Sequence, residues 1–149
     1  MEKRLRCYTI GYSNRKMEDF VEMLQKKGIS HLVDIRRYPQ SWRDEFDKEH
    51  LKESLPKHGI SYSHCGGVGG MRKGSYTDHM KTDEFKRSFS RLIERIFEVN
   101  ELGGNIVLMC AEKNPKDCHR YYLSLELEKK GIEMTHLTEI GQTSLFMYE

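Results

Sequence analysis

Short apolar runs alternate with stretches of helical apolar spacing along most of this chain, so the pattern reads strand, helix, strand, helix. The run Cys7, Tyr8, Thr9, Ile10 predicts a first strand that leaves through Gly11, Tyr12, Ser13 and Asn14. From Met17 the positions Phe20, Val21, Met23 and Leu24 recur at helical spacing until Lys26, Lys27 and Gly28 stop them. Residues 31–35 predict a second buried strand, and Pro39 closes the segment after it because proline pushes its predecessor out of the helical region. Asp47 suits the cap of a helical stretch through Leu51 and Leu55, with Pro56 near its end. Residues 60–65 alternate as a third strand, whereas residues 66–74 hold too many glycines for a regular element. The longest predicted helix covers residues 82–99, on which Phe85, Phe89, Leu92, Ile93, Ile96 and Phe97 repeat before Gly103 and Gly104 end it. Residues 105–110 are almost continuously apolar, as in a central strand covered on both faces. A helix over about residues 117–130, a strand over 133–137 and an apolar tail complete the pattern.

This alternation predicts an α/β fold, a single compact domain over residues 1–149 with a mostly parallel, Rossmann-like sheet of about five strands and helices on both faces. Length agrees, since 149 residues close one core and leave no room for a second full domain. Charged residues make up 32% of the chain, yet 25 basic against 23 acidic residues leave a net charge of only +2, too small to announce a nucleic-acid binder. No signal-peptide or membrane-spanning stretch is evident, so a cytoplasmic location without a membrane partner is expected. In that compartment the four cysteines stay reduced, and read as core residues, metal ligands or reactive thiols before disulfides.

Parallel sheets bind ligands outside the carboxyl ends of their strands, which directs attention to the polar residues just after each strand. Four segments qualify: 11–15, 34–39, 66–74 and 110–120. Cys110 ends the most apolar strand and is followed by Ala111 and Glu112, so it is either a small buried hydrophobe or a thiol beside a carboxylate. Cys118 falls at the predicted start of a helix, where free backbone amides favour a thiolate or a bound anion, and His119 and Arg120 add positive charge. Asp34 and Glu112 form a candidate pair for proton transfer, although Asp34 could equally pair with Arg36 or Arg120. Arg36 and Arg37 could fork a phosphate, and Trp42 with Arg43 could stack on a ring.

Sharper motifs fit less well. Arg120 stands ten positions beyond Cys110, too far for a tyrosine-phosphatase-like loop. Residues 66–74 lack the lysine and hydroxyl residue of a P-loop and the spacing of a dinucleotide fingerprint, which leaves an amide cradle or a flexible lid. Zinc could take Cys110, Cys118 and His119 with Cys65 or His64, but adjacent Cys and His rarely reach one ion and no paired CxxC is present. A redox pair of Cys110 and Cys118 lacks CxxC geometry. No metal is therefore assigned, and the sequence names no cofactor.

The set Thr9, Ile10, Gly11, Tyr12, Ser13, Asn14, then Val33, Asp34, Ile35, Arg36 with Pro39, then Cys110, Ala111, Glu112 and Cys118, His119, Arg120 resembles the bacterial and archaeal family called domain of unknown function 488. The resemblance runs from Tyr8 to about Leu137 and implies a compact α/β domain, with no activity attached. One departure is the third loop, where the family shows a single Gly-Gly pair after a leucine and this chain has two pairs around Val68.

The leading expectation is an enzyme with an anion-binding pocket and a reactive cysteine, taking a phosphate-bearing substrate such as a nucleotide or nucleic-acid component. Cys118, Cys110, Glu112 and Asp34 are its expected catalytic residues, and Arg36, His119, Arg120, Ser13 and Asn14 its substrate contacts. The alternatives are a non-enzymatic nucleic-acid-binding module using Arg36, Arg37, Trp42, Arg43, Arg72 and Lys73, and a Cys/His metal-binding structural module.

Overall fold

A computed structural model describes residues 5–13, 15–39, 41, 43–69, 76–111 and 120–137. Among them, β1 (Arg6–Gly11), β2 (Ile29–Asp34), β3 (Ser61–His64), β4 (Asn105–Cys110) and β5 (Glu133–Leu137) form one parallel sheet in the order β3-β2-β4-β1-β5. The helices are α1 (Met17–Lys26), α2 (Lys48–Ser54), the short α3 (Tyr76–His79), α4 (Asp83–Glu101) and α5 (Arg120–Lys129). None of the described helices is long and apolar enough to cross a membrane.

The central strand has the two apolar faces its sequence predicts. Ile106, Leu108 and Cys110 face one core with Leu92 and Ile96 of α4 and Leu123 and Leu127 of α5. Val107 and Met109 face the other core with Phe20 and Leu24 of α1 and Leu51 of α2. Helices therefore cover both faces, and successive residues of any strand belong to opposite layers.

Local chemistry sets the ends of the elements. The Thr82 hydroxyl accepts the Phe85 amide at 3.2 Å, and Asp83 and Glu84 in the first turn complement the dipole of α4. Near the other end, Asn100 exchanges two hydrogen bonds with the Arg6 backbone, which fixes α4 to the start of β1 and carries the helix past residue 99. Gly28 (φ +64) and Gly103 (φ +84) turn the chain out of α1 and α4 in a conformation other residues rarely adopt. Asp47 occupies the expected cap position of α2, but its carboxylate accepts the Ser41 amide instead of a helical one.

The start of the glycine-rich segment has a packing explanation. Gly66–Val68 is a tight 3-10 turn that buries Val68 beneath α4. A Cβ on Gly67 would lie 1.9 Å from Ser88 Oγ, and one on Gly69 would lie 2.2 Å from the Ile35 carbonyl oxygen and 2.8 Å from the Arg37 nitrogen. The turn lies flush against α4 and the exit of β2, so no side chain fits. Residues 70–74, where the lid and amide-cradle readings partly rest, lie outside the described residues. Gly69→Ala forces backbone against backbone and is expected to cost about 1–3 kcal/mol. A urea midpoint equal to that of the unsubstituted protein would show slack in the turn.

Candidate active site at the carboxyl edge of the sheet

The carboxyl end of β4 is tied to both neighbours beyond the regular ladder. The Tyr12 amide donates to the Cys110 carbonyl at 3.1 Å, the Ser13 amide to the Ala111 carbonyl at 2.7 Å, and the Ile35 amide to the Met109 carbonyl at 3.0 Å. β1 leads to α1 on one face, whereas α5, which follows β4, lies on the other. In parallel sheets, ligand crevices form where the chain exits of adjacent strands diverge, and here that boundary lies between β1 and β4, at Gly11 and the buried Cys110. Ser13 follows β1 at this boundary with φ +34, an uncommon backbone state for a residue with a side chain. It is held there by the Ala111 contact and by Arg43, whose Nη1 donates to the Ser13 carbonyl at 2.8 Å. Backbone strain of this kind concentrates at functional sites.

On the α5 face, a polar chain is buried behind this boundary. The Arg120 side chain is fully buried at the start of α5, and its Nη1 donates to Cys110 Sγ at 2.8 Å. Its Nε donates to Thr9 Oγ1 at 3.1 Å. Thr9 lies in register with His136 of β5, and Thr9 Oγ1 stands 2.6 Å from His136 Nδ1. Burial and the Arg120 charge push the His136 pKa down to about 4, so the imidazole is neutral at pH 7. Having accepted the Arg120 Nε–H, the Thr9 hydroxyl can donate its proton to a neutral Nδ1.

This linkage has a sign. Between about pH 6.5 and 4 the unfolded chain protonates His136 while the folded protein resists, so stability falls as pH falls through that window. The contribution amounts to about 2–3 kcal/mol after allowing for partial exposure. His136→Asn is expected to flatten the fall in melting temperature between pH 7 and 4.5, and an acid limb of unchanged steepness would assign it to other groups.

The opposite face carries a second cluster. Asp34 is fully buried, and its Oδ1 accepts the Arg36 amide at 3.1 Å and Arg36 Nε at 2.9 Å. Its Oδ2 accepts Arg36 Nη2 at 2.7 Å and the Tyr62 hydroxyl at 2.6 Å. Burial works against the Arg36 charge, but the Asp34 carboxylate outweighs it and holds that pKa above the ordinary value. Burial and the same carboxylate push the Tyr62 pKa up. Arg36 also lies over the Tyr12 ring at 5.3 Å, Tyr12 stacks on Phe46 at 4.5 Å, and Arg43 lies over Phe46 at 4.7 Å. With four donors around one carboxylate, the lone-pair directions of Asp34 are filled.

The structure thus divides what the sequence gathered at one edge. Cys110 and Arg120 meet on the α5 face, while Asp34 and Arg36 meet on the α1 face. Asp34 pairs with Arg36 and not with Arg120. Arg37 is bonded to Glu84 at 3.1 Å and lies beside Tyr38. Cys65 lies just past β3 and is separated from Cys110 by β2, a distance of about 10 Å across two strand spacings, which keeps both thiols off one zinc ion. Among the described residues no group of three His, Cys, Asp or Glu side chains could hold a metal ion. Glu112, Cys118, His119, Asn14, Trp42, Arg72 and Lys73 lie outside the described residues. Sequence reasoning missed Thr9, His136 and Tyr62. Each faces its partner across neighbouring strands, and strand order is the signal that would have found them.

A family model described as Domain of unknown function DUF488 matches residues 16–127. The chain belongs to the DUF488 family. No curated protein and no solved structure matches it. The match spans β2, β3 and β4 and includes Asp34, Arg36, Cys110 and Arg120, whereas Thr9, Ser13 and His136 fall outside it.

Proposed function

We propose that this DUF488 protein is an enzyme that transfers or hydrolyses a group of a phosphate-bearing substrate, a nucleotide or nucleic-acid component, through the Cys110 thiol. The observation that carries the reading is the Arg120 guanidinium 2.8 Å from Cys110 Sγ at the diverging exits of β1 and β4. A guanidinium donating to sulfur favours the thiolate, the form that attacks electrophiles. Thr9 and neutral His136 orient Arg120 from behind. In the reaction, the bond from Sγ to the electrophilic centre forms as the leaving-group bond breaks and the leaving group takes a proton. Glu112, two residues beyond Cys110, is assigned as the donor of that proton. Water or an acceptor then takes the transferred group and returns the thiol. Asp34 acts as a positioning group, holding Arg36 against Tyr12 in the loop that follows β1.

Alkylation with iodoacetamide at pH 7, followed by peptide mapping, tests the reading. Cys110 is expected to react first. Cys7, deep in the core with its thiol pKa pushed up by burial, is expected to stay unmodified. Cys110 reacting no faster than free cysteine would sink the thiol mechanism.

A further inference from the structure

Arg36 and Arg120 are both engaged by protein groups, so the anion of such a substrate calls for other ligands. A groove of about 240 Å³ lies at the carboxyl end of β3, over Val33, and its α4 wall is made by Ser88, Arg91, Leu92 and Arg95. Those four positions follow the i, i+3, i+4, i+7 spacing of a single helix face. Ser63 and His64 form the facing wall and Cys65 lies between. Among the described residues lining the groove there is no carboxylate.

Two guanidiniums one helical turn apart repel each other, and no described lining residue carries a negative charge to neutralise them. Arg91 makes no hydrogen bond or ion pair among the described residues, and Arg95 has only the exposed Glu98 at 3.8 Å. Both fields reach into the groove: burial raises the Cys65 pKa, and Arg91 and Arg95 pull against that rise.

We propose that this groove is the phosphate subsite, with Arg91 and Arg95 gripping a phosphomonoester and the Ser63 and Ser88 hydroxyls completing its hydrogen bonds. Guanidinium forks match phosphate oxygens bidentately, and the volume suits a phosphate with a small appendage. Cys65 lies level with Cys110 on the same face of the sheet, about 10 Å away across β2. The assignment deepens the enzymatic reading yet can fail without it.

The test titrates inorganic phosphate, AMP and adenosine against the whole protein, following melting temperature and calorimetric binding. Phosphate and AMP are expected to bind saturably and adenosine not at all. The R91A/R95A protein, altered only at exposed positions, should keep its unliganded melting temperature and lose at least about tenfold in affinity. The C110S protein should bind phosphate like the unsubstituted chain. Equal phosphate binding in R91A/R95A, or loss of binding in C110S alone, overturns the subsite. Steeply salt-dependent binding of a single-stranded oligonucleotide, with no response to phosphate or AMP, overturns the small-ligand class. An unreactive Cys110 with phosphate still bound through Arg91 and Arg95 removes the thiol mechanism and leaves the subsite standing.

Discussion

Asp34→Ala is expected to lower stability by about 3–5 kcal/mol and the melting temperature by on the order of 10 °C. The size follows from what the substitution leaves behind. Arg36 keeps its charge, is only 8% exposed, and loses three of its bonds at once, two of them made by the guanidinium to separate carboxylate oxygens. Tyr62 loses its acceptor as well. An isolated charge in this position costs far more than the intact pair contributes, because the pair itself roughly balances attraction against desolvation. Removing both members is therefore expected to be milder: D34L/R36M should recover most of the loss. Urea melts of the single and double variants decide the matter. A single-variant cost under about 0.5 kcal/mol, the size of an ordinary surface substitution, would show that the clamp is not holding the loop.

Much of the architecture was legible because periodicity survives folding. The unbroken apolar run 105–110 predicts a strand buried on both faces, and β4 is the middle strand of five. Helical spacing after Thr82 predicts α4, which extends to Glu101 because Asn100 bonds the Arg6 backbone and helps hold the last turn. Strand order was not legible, and it decides the site. Period-two alternation assigns Asp34 and Cys110 to layers only once β2 and β4 are known to be neighbours in a given register, with Asp34 beside Met109. That register sends Asp34 to the α1 layer and leaves Cys110 in the α5 layer, so a shared pocket read from loop positions alone resolves into two clusters back to back. Composition likewise cannot distinguish a glycine that cradles a ligand from one pressed against backbone. Gly69, whose Cβ would lie 2.2 Å from the Ile35 carbonyl oxygen, is one pressed against backbone.

Arg120 carries the second large effect. It is the largest fully buried side chain among the described residues, so Arg120→Ala removes volume and charge together and is expected to cost about 3–5 kcal/mol. Arg120→Met separates the two, since methionine refills most of the space without the charge. In that variant stability should largely return, while the thiol should not. A hydrogen bond from a charged donor contributes about 1.5–3 kcal/mol, which is roughly tenfold to a hundredfold in thiolate population. A thiolate that is less stabilised is intrinsically more nucleophilic, which offsets nearly half of that factor on a logarithmic scale. The net expectation is Cys110 alkylation about three- to tenfold slower at pH 7, with Cys65 unchanged as the internal control. The same variant removes one of the two causes that lower the His136 pKa, so its titration midpoint, followed by NMR, should rise from about 4 toward 6.5. A slower thiol with a shifted imidazole places Arg120 electrically between them. A Cys110 rate and a His136 midpoint both unchanged in a folded Arg120→Met protein would reduce Arg120 to a space-filling residue and take the electrostatic basis of the thiol mechanism with it.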